Sequence, residues 1–261
     1  MRCDKNKMVE EIEEILMRKR ALIKRLEERR SIKSAIGDAK ARGKRPVIGE
    51  LKRKGLKDAE IIEADATEAA RGIEEGGACA VSVLTEEAFN GTLADLKAVK
   101  LAVSIPVLRK DFIFDEFQIM ESYVHGADAI LLIVRFLSER RVIELVKKAS
   151  SFGLECLVEI DSTSKDKLPD LREIPESRSI LIGINNRDLD TLEVKLETFE
   201  AIAPEIKPKI PESIPLIAMS GIESSEDATR MFNAGADALL VGTSIMHATD
   251  IKDKVRELVG D

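Results

Sequence analysis

Metal-binding and cross-linking residues are scarce in this chain. Its three cysteines, Cys3, Cys79 and Cys156, are far apart, no C-x-x-C pair exists, and the two histidines, His125 and His247, are distant from each other. That spacing argues against a disulfide framework and predicts no metal site. Cys79 and Cys156 sit inside apolar runs, where a small buried thiol is the default. Long apolar runs are missing too. No stretch could span a bilayer, and the charged, periodic N-terminus has no apolar signal-peptide core. The expectation is a cytoplasmic protein with no membrane partner. Charge of one sign is also lacking: the net charge of -7 comes from mixed signs, which argues against nucleic acid as the main partner. Few aromatics beside much Lys and Glu would also suit a heat-tolerant protein.

What the chain does have is material for a core. Hydrophobic residues make up 44% of its 261 positions, enough for one large α/β barrel or two smaller domains. Charged residues reach 34%, above the roughly 25% of an ordinary domain. Residues 5 to about 43 are helical in pattern, with Met8, Ile12, Ile15, Leu16, Ile23 and Leu26 recurring at three- and four-residue steps. This stretch is too short for a sustained heptad array. It is read as a cap packed on the main domain, an N-terminal helical extension over residues 1–45. Residues 31–41 form a second short helix before Gly43.

From Pro46 onward, strand and helix patterns alternate. Strands are expected at 47–52, 79–84, 106–110, 128–134, 155–160, 180–185, 215–219 and 237–242. Helices are expected at 59–75, 92–102, 115–125, 138–151, 162–173, 195–206, 223–234 and 250–259. Pro46, Pro106 and Pro215 each open a strand, where a missing N–H is tolerated. Gly126 and Gly235, each in a Gly-Ala-Asp triplet, stop the helix before a strand. Eight such β-α units fit a (β/α)8 TIM barrel over residues 46–261 better than an open doubly wound sheet. The first strand runs into Glu50-Leu51-Lys52-Arg53-Lys54-Gly55, with one glycine, so no dinucleotide fingerprint exists.

The strand ends carry the chemistry. Val107-Leu108 breaks into Arg109, Lys110 and Asp111; Val47-Ile48 runs into Glu50 and Lys52; Leu157-Val158 runs into Glu159; and Ile182-Gly183-Ile184 runs into Asn185 and Arg187. In a barrel these ends converge on one face, so residues far apart in sequence meet there. Carboxylates and lysines crowded in a dry place shift one another's pKa values and can act as acid and base. The last two loops, Ser220-Gly221-Ile222 and Gly242-Thr243-Ser244, offer backbone N–H groups to an anion, the usual phosphate place in such barrels. Arg187 and Lys52 could add cationic charge.

Those residues resemble the indole-3-glycerol-phosphate synthase family of tryptophan biosynthesis, over nearly the whole chain. The resemblance rests on S-V-L-T-E-E at 82–87, P-V-L-R-K-D-F-I at 106–113, L-V-E-I at 157–160, I-G-I-N-N-R-D-L at 182–189 and G-A-D-A-L-L-V-G-T-S at 235–244. It implies a cofactor-free carboxy-lyase. Carboxyphenylamino-deoxyribulose phosphate would cyclise to indole-glycerol phosphate with loss of carbon dioxide and water. The resemblance makes Lys110 the acid that protonates the substrate carbonyl and gives Glu159 the later proton transfers of dehydration. Glu50 and Lys52 organise the site, with Lys52 also able to hold substrate or act in dehydration, and Asn185 binds the intermediate's hydroxyl. Phosphate would be held by Arg187, Ser220, Gly221, Gly242, Thr243 and Ser244. Phe89 and Phe112 offer apolar surface to the substrate ring, although sequence alone reads both as core. The family's N-terminal extension is expected across the barrel mouth. Arg109 and Lys52 are expected to flank Lys110 with positive charge and ease its deprotonation near neutral pH. Other enzymes of the tryptophan pathway are implied as partners.

Two departures stand out. The family's Ser-Pro-Ser after the first strand is replaced by Lys54-Gly55-Leu56-Lys57, where Lys54 or Lys57 offers charge instead. Its E-S-G after strand seven is replaced by Met219-Ser220-Gly221, and a thioether can neither take up a proton nor pair with a lysine. Two other readings follow from these departures and from the shared phosphate loops. One is a phosphosugar isomerase of the tryptophan or histidine pathways; the other is a non-catalytic or altered-specificity phosphate-binding barrel.

Overall fold

Short runs of Val, Ile and Leu, buried on both faces, favour parallel strands covered by helices. In the computed structural model, which describes residues 2–55, 62–171, 174 and 179–261, with side chains from residue 8 onward, these runs close into a barrel. Its strands are β1 (Val47–Leu51), β2 (Ala80–Leu84), β3 (Val107–Lys110), β4 (Ala129–Ile133), β5 (Glu155–Ile160), β6 (Ile180–Asn185), β7 (Leu216–Met219) and β8 (Ala238–Val241). Each pairs in parallel with the next, and β8 returns to β1 through Val47 opposite Leu239. Every expected strand is present to within one residue at each end. The strand-opening prolines lose a donor but keep an acceptor: the carbonyls of Pro46, Pro106 and Pro215 bond to Leu239, Val81 and Ile182.

The helices are α1 (Arg2–Glu27), α2 (Ile32–Ala41), α3 (Ala66–Glu75), α4 (Leu93–Ala102), α5 (Glu116–Val124), α6 (Glu139–Ser151), α7 (Glu197–Ile206), α8 (Ser225–Asn233), α9 (Thr243–Met246) and α10 (Ile251–Val259). After α5 and α8, Gly126 and Gly235 take φ of +85° and +99°, and the next residue's N–H reaches back to Ser122 and Met231. This is the left-handed helix stop expected at both places.

Two helix expectations need correction. The helix expected from residue 59 begins at Ala66, because the Asp65 side chain accepts from the N–H groups of Thr67 and Glu68 and caps it there. Residues 56–61 lie outside those described. The helix expected at 162–173 has no α-helical residue among those described, and a 3-10 turn stands at Lys165–Lys167 instead. There Asp161 Oδ1 accepts from the N–H groups of Thr163 and Ser164, a local turn that competes with a helix, and Pro169 follows.

A dry layer fills the barrel, with Ile48, Leu108, Leu131, Leu157, Leu181 and Ile217 among its members. Ile32, Ile36 and Ala39 of α2 join that cluster beside Ala80, Ala129 and Ala238, all at strand beginnings. Glu155, the first residue of β5, accepts from Ser31 Oγ at 2.6 Å and from the Ile32 N–H at 2.7 Å, anchoring the start of α2. Helix α2 therefore plugs the N-terminal end of the barrel. The expectation that the extension lies across the mouth is wrong for this chain, since the apolar face of α2 matches the alanine-lined floor. The expected cap is α2 together with the last turn of α1. Residues Met8 to Ala21 of α1 are exposed throughout.

Candidate active site

Side chains alternate across a strand, so two residues apart means the same face. On β3, Leu108 points into the barrel and Lys110 follows it to the rim. Arg109 points outward, donating to the Gln118 carbonyl and Ser122 Oγ of α5 and pairing with Asp111 at 2.9 Å. The same alternation sets Glu50 above Ile48 on β1, Glu159 above Leu157 on β5, Asn185 above Gly183 on β6 and Met219 above Ile217 on β7. Five strands thus deliver five inward side chains to one level. They line a cavity of about 380 Å³.

Within it, Glu50 is the hub. Its carboxylate lies 3.4 Å from the Lys110 ammonium and 3.7 Å from that of Lys52. Lys52 also donates to Thr243 Oγ1 at 2.7 Å, which ties the β1 end to the start of α9. Burial alone would raise the Glu50 carboxyl, but Lys110 and Lys52 outweigh it and hold the group below its ordinary value. Burial would likewise lower the Lys110 ammonium. The carboxylates of Glu50 and Glu159 outweigh that, so Lys110 is held protonated more firmly than an ordinary lysine. This reverses the expectation of a lysine flanked by positive charge: Arg109 is turned away, and Glu50 stands beside both lysines. Glu159 is the opposite case. Burial pushes its carboxyl up, beyond what Lys110 and the Asn185 amide recover. That amide donates to Glu159 Oε1 at 3.0 Å. One carboxylate is thus locked as an anion while the other is poised to exchange a proton.

The far side of the cavity is built from backbone. Ser220 and Gly221 both take left-handed backbone, with φ of +69° and +78°. A Cβ at Gly221 would stand 2.4 Å from Val194 Cγ1, and one at Gly242 would stand 2.5 Å from Glu50 Oε1. Gly221 is required by both space and backbone, whereas a side chain at Gly242 would push the Glu50 carboxylate aside. Ser220, Gly221, Gly242 and Thr243 line the cavity. The Ser244 hydroxyl does not; it donates to the Ile222 carbonyl at 2.9 Å. Arg187 lines the same side, its N–H donating to Asn185 Oδ1 at 2.9 Å and its guanidinium to the Leu192 carbonyl at 3.2 Å.

Opposite lies an apolar wall. Phe89 and Phe112 line the cavity and stay outside the core, Phe112 at 43% exposure, which overturns the bare-sequence reading of both as core. Phe136 was not foreseen. It follows β4 on a 3-10 turn and tilts against Phe112 with ring centroids 6.1 Å apart. The signal for it was an aromatic just past a strand end. Leu84, Leu131 and Leu240 complete the floor, hidden in sequence because they read as ordinary strand interior.

Of the departures, Lys54 and Gly55 reach the cavity, whereas Lys57 lies outside the described residues. Met219 is buried and lines the cavity floor. Its sulfur occupies the space over Gly183, where a Cβ would come within 2.4 Å. Cys79 and Cys156 are free and buried, as expected, and burial pushes the Cys79 thiol up to about 12.

Comparison with known proteins adds the family. Residues 2–258 match the family description "indole-3-glycerol phosphate synthase". The chain is 42% identical over 237 residues to the indole-3-glycerol phosphate synthase of Haloarcula marismortui, covering 88% of this chain and 83% of that one. It is 42% identical over 215 residues to that of Parafrankia sp. (strain EAN1pec), covering 82% and 77%. Among solved structures, the tryptophan synthase alpha chain from Legionella pneumophila superposes with a TM-score of 0.63 at 14% identity, covering 87% of this chain and 94% of that one. At that identity the likeness shows the barrel alone. The sequence matches go further: the chain belongs to the indole-3-glycerol phosphate synthase family, whose enzymes carry out a decarboxylating ring closure.

Proposed function

We propose that this rim converts 1-(2-carboxyphenylamino)-1-deoxyribulose 5-phosphate to indole-3-glycerol phosphate, with Lys110 and Glu159 as its proton donor and acceptor. The substrate carbonyl takes a proton from the Lys110 ammonium as the ring carbon bearing the carboxylate attacks the carbonyl carbon. Carbon dioxide then leaves and restores the aromatic ring. The new hydroxyl departs as water, protonated from Lys52, while Glu159 accepts the proton that its departure releases. One carbon–carbon bond forms, one breaks, and nothing is oxidised or reduced, so the balance calls for no redox cofactor.

The observation that carries the reading is the opposite tuning of the two groups. Glu50 keeps Lys110 in the protonated form that an acid must start from, and a buried carboxyl with a raised pKa exchanges protons nearer neutrality. Asn185 holds the Glu159 carboxylate and the intermediate's hydroxyl. Arg187, Lys52 and the loops at Ser220-Gly221 and Gly242-Thr243-Ser244 receive the phosphate, with Ser244 acting through its backbone. Phe89, Phe112 and Phe136 receive the aryl ring. We divide the chain into an extension, 1–45, and a catalytic barrel, 46–261. We place it in the cytoplasm beside other tryptophan-pathway enzymes. Among the described residues no helix is long and apolar enough to cross a membrane.

The test is turnover by the purified chain, followed through indole fluorescence. Product formation lost in Glu159→Gln supports the assignment. Phosphate binding without any turnover in the wild type would favour a non-catalytic barrel instead, the reading that Met219 motivates.

A further inference from the structure

Three loops at the barrel mouth meet on one side chain that does not itself line the cavity. Arg135 stands between Val134 and Phe136 on the 3-10 turn after β4. Phe136 leaves that turn toward Phe112, on the β3 side, while Arg135 leaves it toward β5 and β6. Its guanidinium lies 3.4 Å from Asp161 Oδ2 and donates to Thr163 Oγ1, both in the turn after β5. It also donates to Asp190, in the loop after β6. A lone exposed ion pair would contribute little. Here a planar fork of donors, on a side chain only 19% exposed, joins acceptors from two separate loops.

Asp190 belongs to the loop that aims Arg187. There the Asp188 carboxylate accepts from the N–H groups of Asp190 and Thr191, and Leu192 follows with left-handed backbone at φ +57°. A leucine in that region is strained and has to be held by its surroundings. The Leu192 carbonyl in turn accepts from the Arg187 guanidinium at 3.2 Å, and Arg187 pairs with Val194 across a short antiparallel bridge. Asp190 therefore stands at the tip of the same hairpin whose base carries Arg187. Leu192 and Val194 of that hairpin line the cavity, as Phe136 does.

We propose that Arg135 is a positioning residue that fixes the span between the two ends of the substrate. Through the turn after β4 it sets Phe136 and the aryl wall; through Asp190 it sets Arg187 and the phosphate side. The inference rests on the proposed substrate, whose aryl ring and phosphate must be gripped at once. The proton-transfer groups do not depend on it, because Glu50, Lys110 and Glu159 stand on strands held in register by their neighbours. Loss of Arg135 should therefore weaken a ligand that bridges both ends and spare one that occupies the phosphate end alone.

Titration of the full chain with inorganic phosphate and with a reduced, non-cyclising substrate analogue tests the proposal. Arg135→Ala should weaken the analogue roughly tenfold, the scale of a modest misplacement, and raise KM alongside. Its kcat should change by less than about threefold, since the acid and the carboxylates keep their places. The Kd of inorganic phosphate should stay within about twofold, because the N–H groups of the Ser220-Gly221 and Gly242-Thr243-Ser244 loops hold it. Asp161 Oδ1 keeps the N–H groups of Thr163 and Ser164, so the turn after β5 persists in the variant. Asp190→Ala approaches from the other end, at a residue exposed enough to leave the fold alone, and should weaken the analogue by about threefold. The two act through one contact, so the double variant should be no weaker than Arg135→Ala. Arg135→Lys keeps the charge without the fork and should recover part of the loss. Unchanged analogue affinity in Arg135→Ala or Asp190→Ala, equal losses for analogue and phosphate, or additive losses in the double variant would each overturn the proposal. A wild type that binds the analogue without turning over substrate would remove the proposed function, while the same binding comparison still decides the role of Arg135.

Discussion

Replacing Lys110 by methionine should lower kcat by about 10²–10⁴-fold, the usual contribution of a positioned proton donor. The structure argues for the upper part of that range, because the ammonium also serves its neighbours. Lys110 is the main group holding down the Glu159 carboxyl against burial, so its loss leaves that group protonated to higher pH and blunts the second proton transfer too. Glu50 keeps Lys52 at 3.7 Å, so the fold retains a partner for its buried carboxylate. KM should therefore change little, and the unfolding midpoint should stay close to wild type. Lys110→Arg separates charge from chemistry: arginine keeps the cation beside Glu50 but cannot give up a proton in the working pH range. We expect it to retain substrate binding and the fold while losing most of the rate. The assay is single-turnover fluorescence of the indole product, with KM from steady state. If Lys110→Arg or Lys110→Met runs within about tenfold of wild type, Lys110 is not the acid.

The remaining outcomes follow from particular contacts. Asn185→Ala removes the amide that helps hold the Glu159 carboxyl down, so the acidic limb of the kcat profile should move to higher pH; an unmoved limb would separate Asn185 from Glu159. Glu159 must be ionised to accept a proton, so activity should fall with acidification through its raised folded value. Gly242→Ala would drive a Cβ to 2.5 Å from Glu50 Oε1, displacing the carboxylate that faces both lysines, and should cost tenfold or more in kcat/KM with little change in unfolding. Asp128→Ala leaves the buried Lys100 ammonium, now 2.6 Å from Asp128 Oδ1, without its counter-charge and with the Glu28 carbonyl as its remaining acceptor, and also removes the acceptor of the Arg30 and Val107 N–H groups. It should destabilise the chain by about 3–5 kcal/mol in denaturant unfolding. Met219→Glu, restoring the carboxylate that the family carries there, should preserve or raise turnover; loss of activity in a folded variant would mean that the methionine is an adaptation of this site.

Much of this was legible in the sequence because parallel strands advertise themselves. Apolar runs, three of them opened by proline and most closed by polar residues, gave every strand, and two-residue alternation places Glu50, Lys110, Glu159 and Asn185 on the inner face. What alternation cannot give is which neighbour a charge meets. Arg109 adjoins Lys110 in the chain yet points to α5, while Glu50, 60 positions away, is the group beside it. Only barrel closure decides that, and it reversed the expected environment of the lysine. The helix misread at 162–173 failed for a local reason, since Asp161 captures the following N–H groups in a turn. The place of the extension was misjudged because it was carried over from the family resemblance, and an apolar stripe does not say which end of a barrel a helix will meet. The alanines that receive α2 at the barrel floor are contributed by three separate strands.

The most direct check on the site as a whole is a crystal structure of the chain with a non-reactive, reduced analogue of the substrate. The account predicts the analogue's phosphate at the N–H groups of Gly221 and Gly242 to Ser244, within reach of Arg187. Its hydroxyl, standing in for the carbonyl oxygen, should lie about 2.6–3.2 Å from Lys110 Nζ, with its aryl ring against Phe112 and Phe136. A phosphate bound elsewhere, or a hydroxyl out of reach of Lys110, would contradict it.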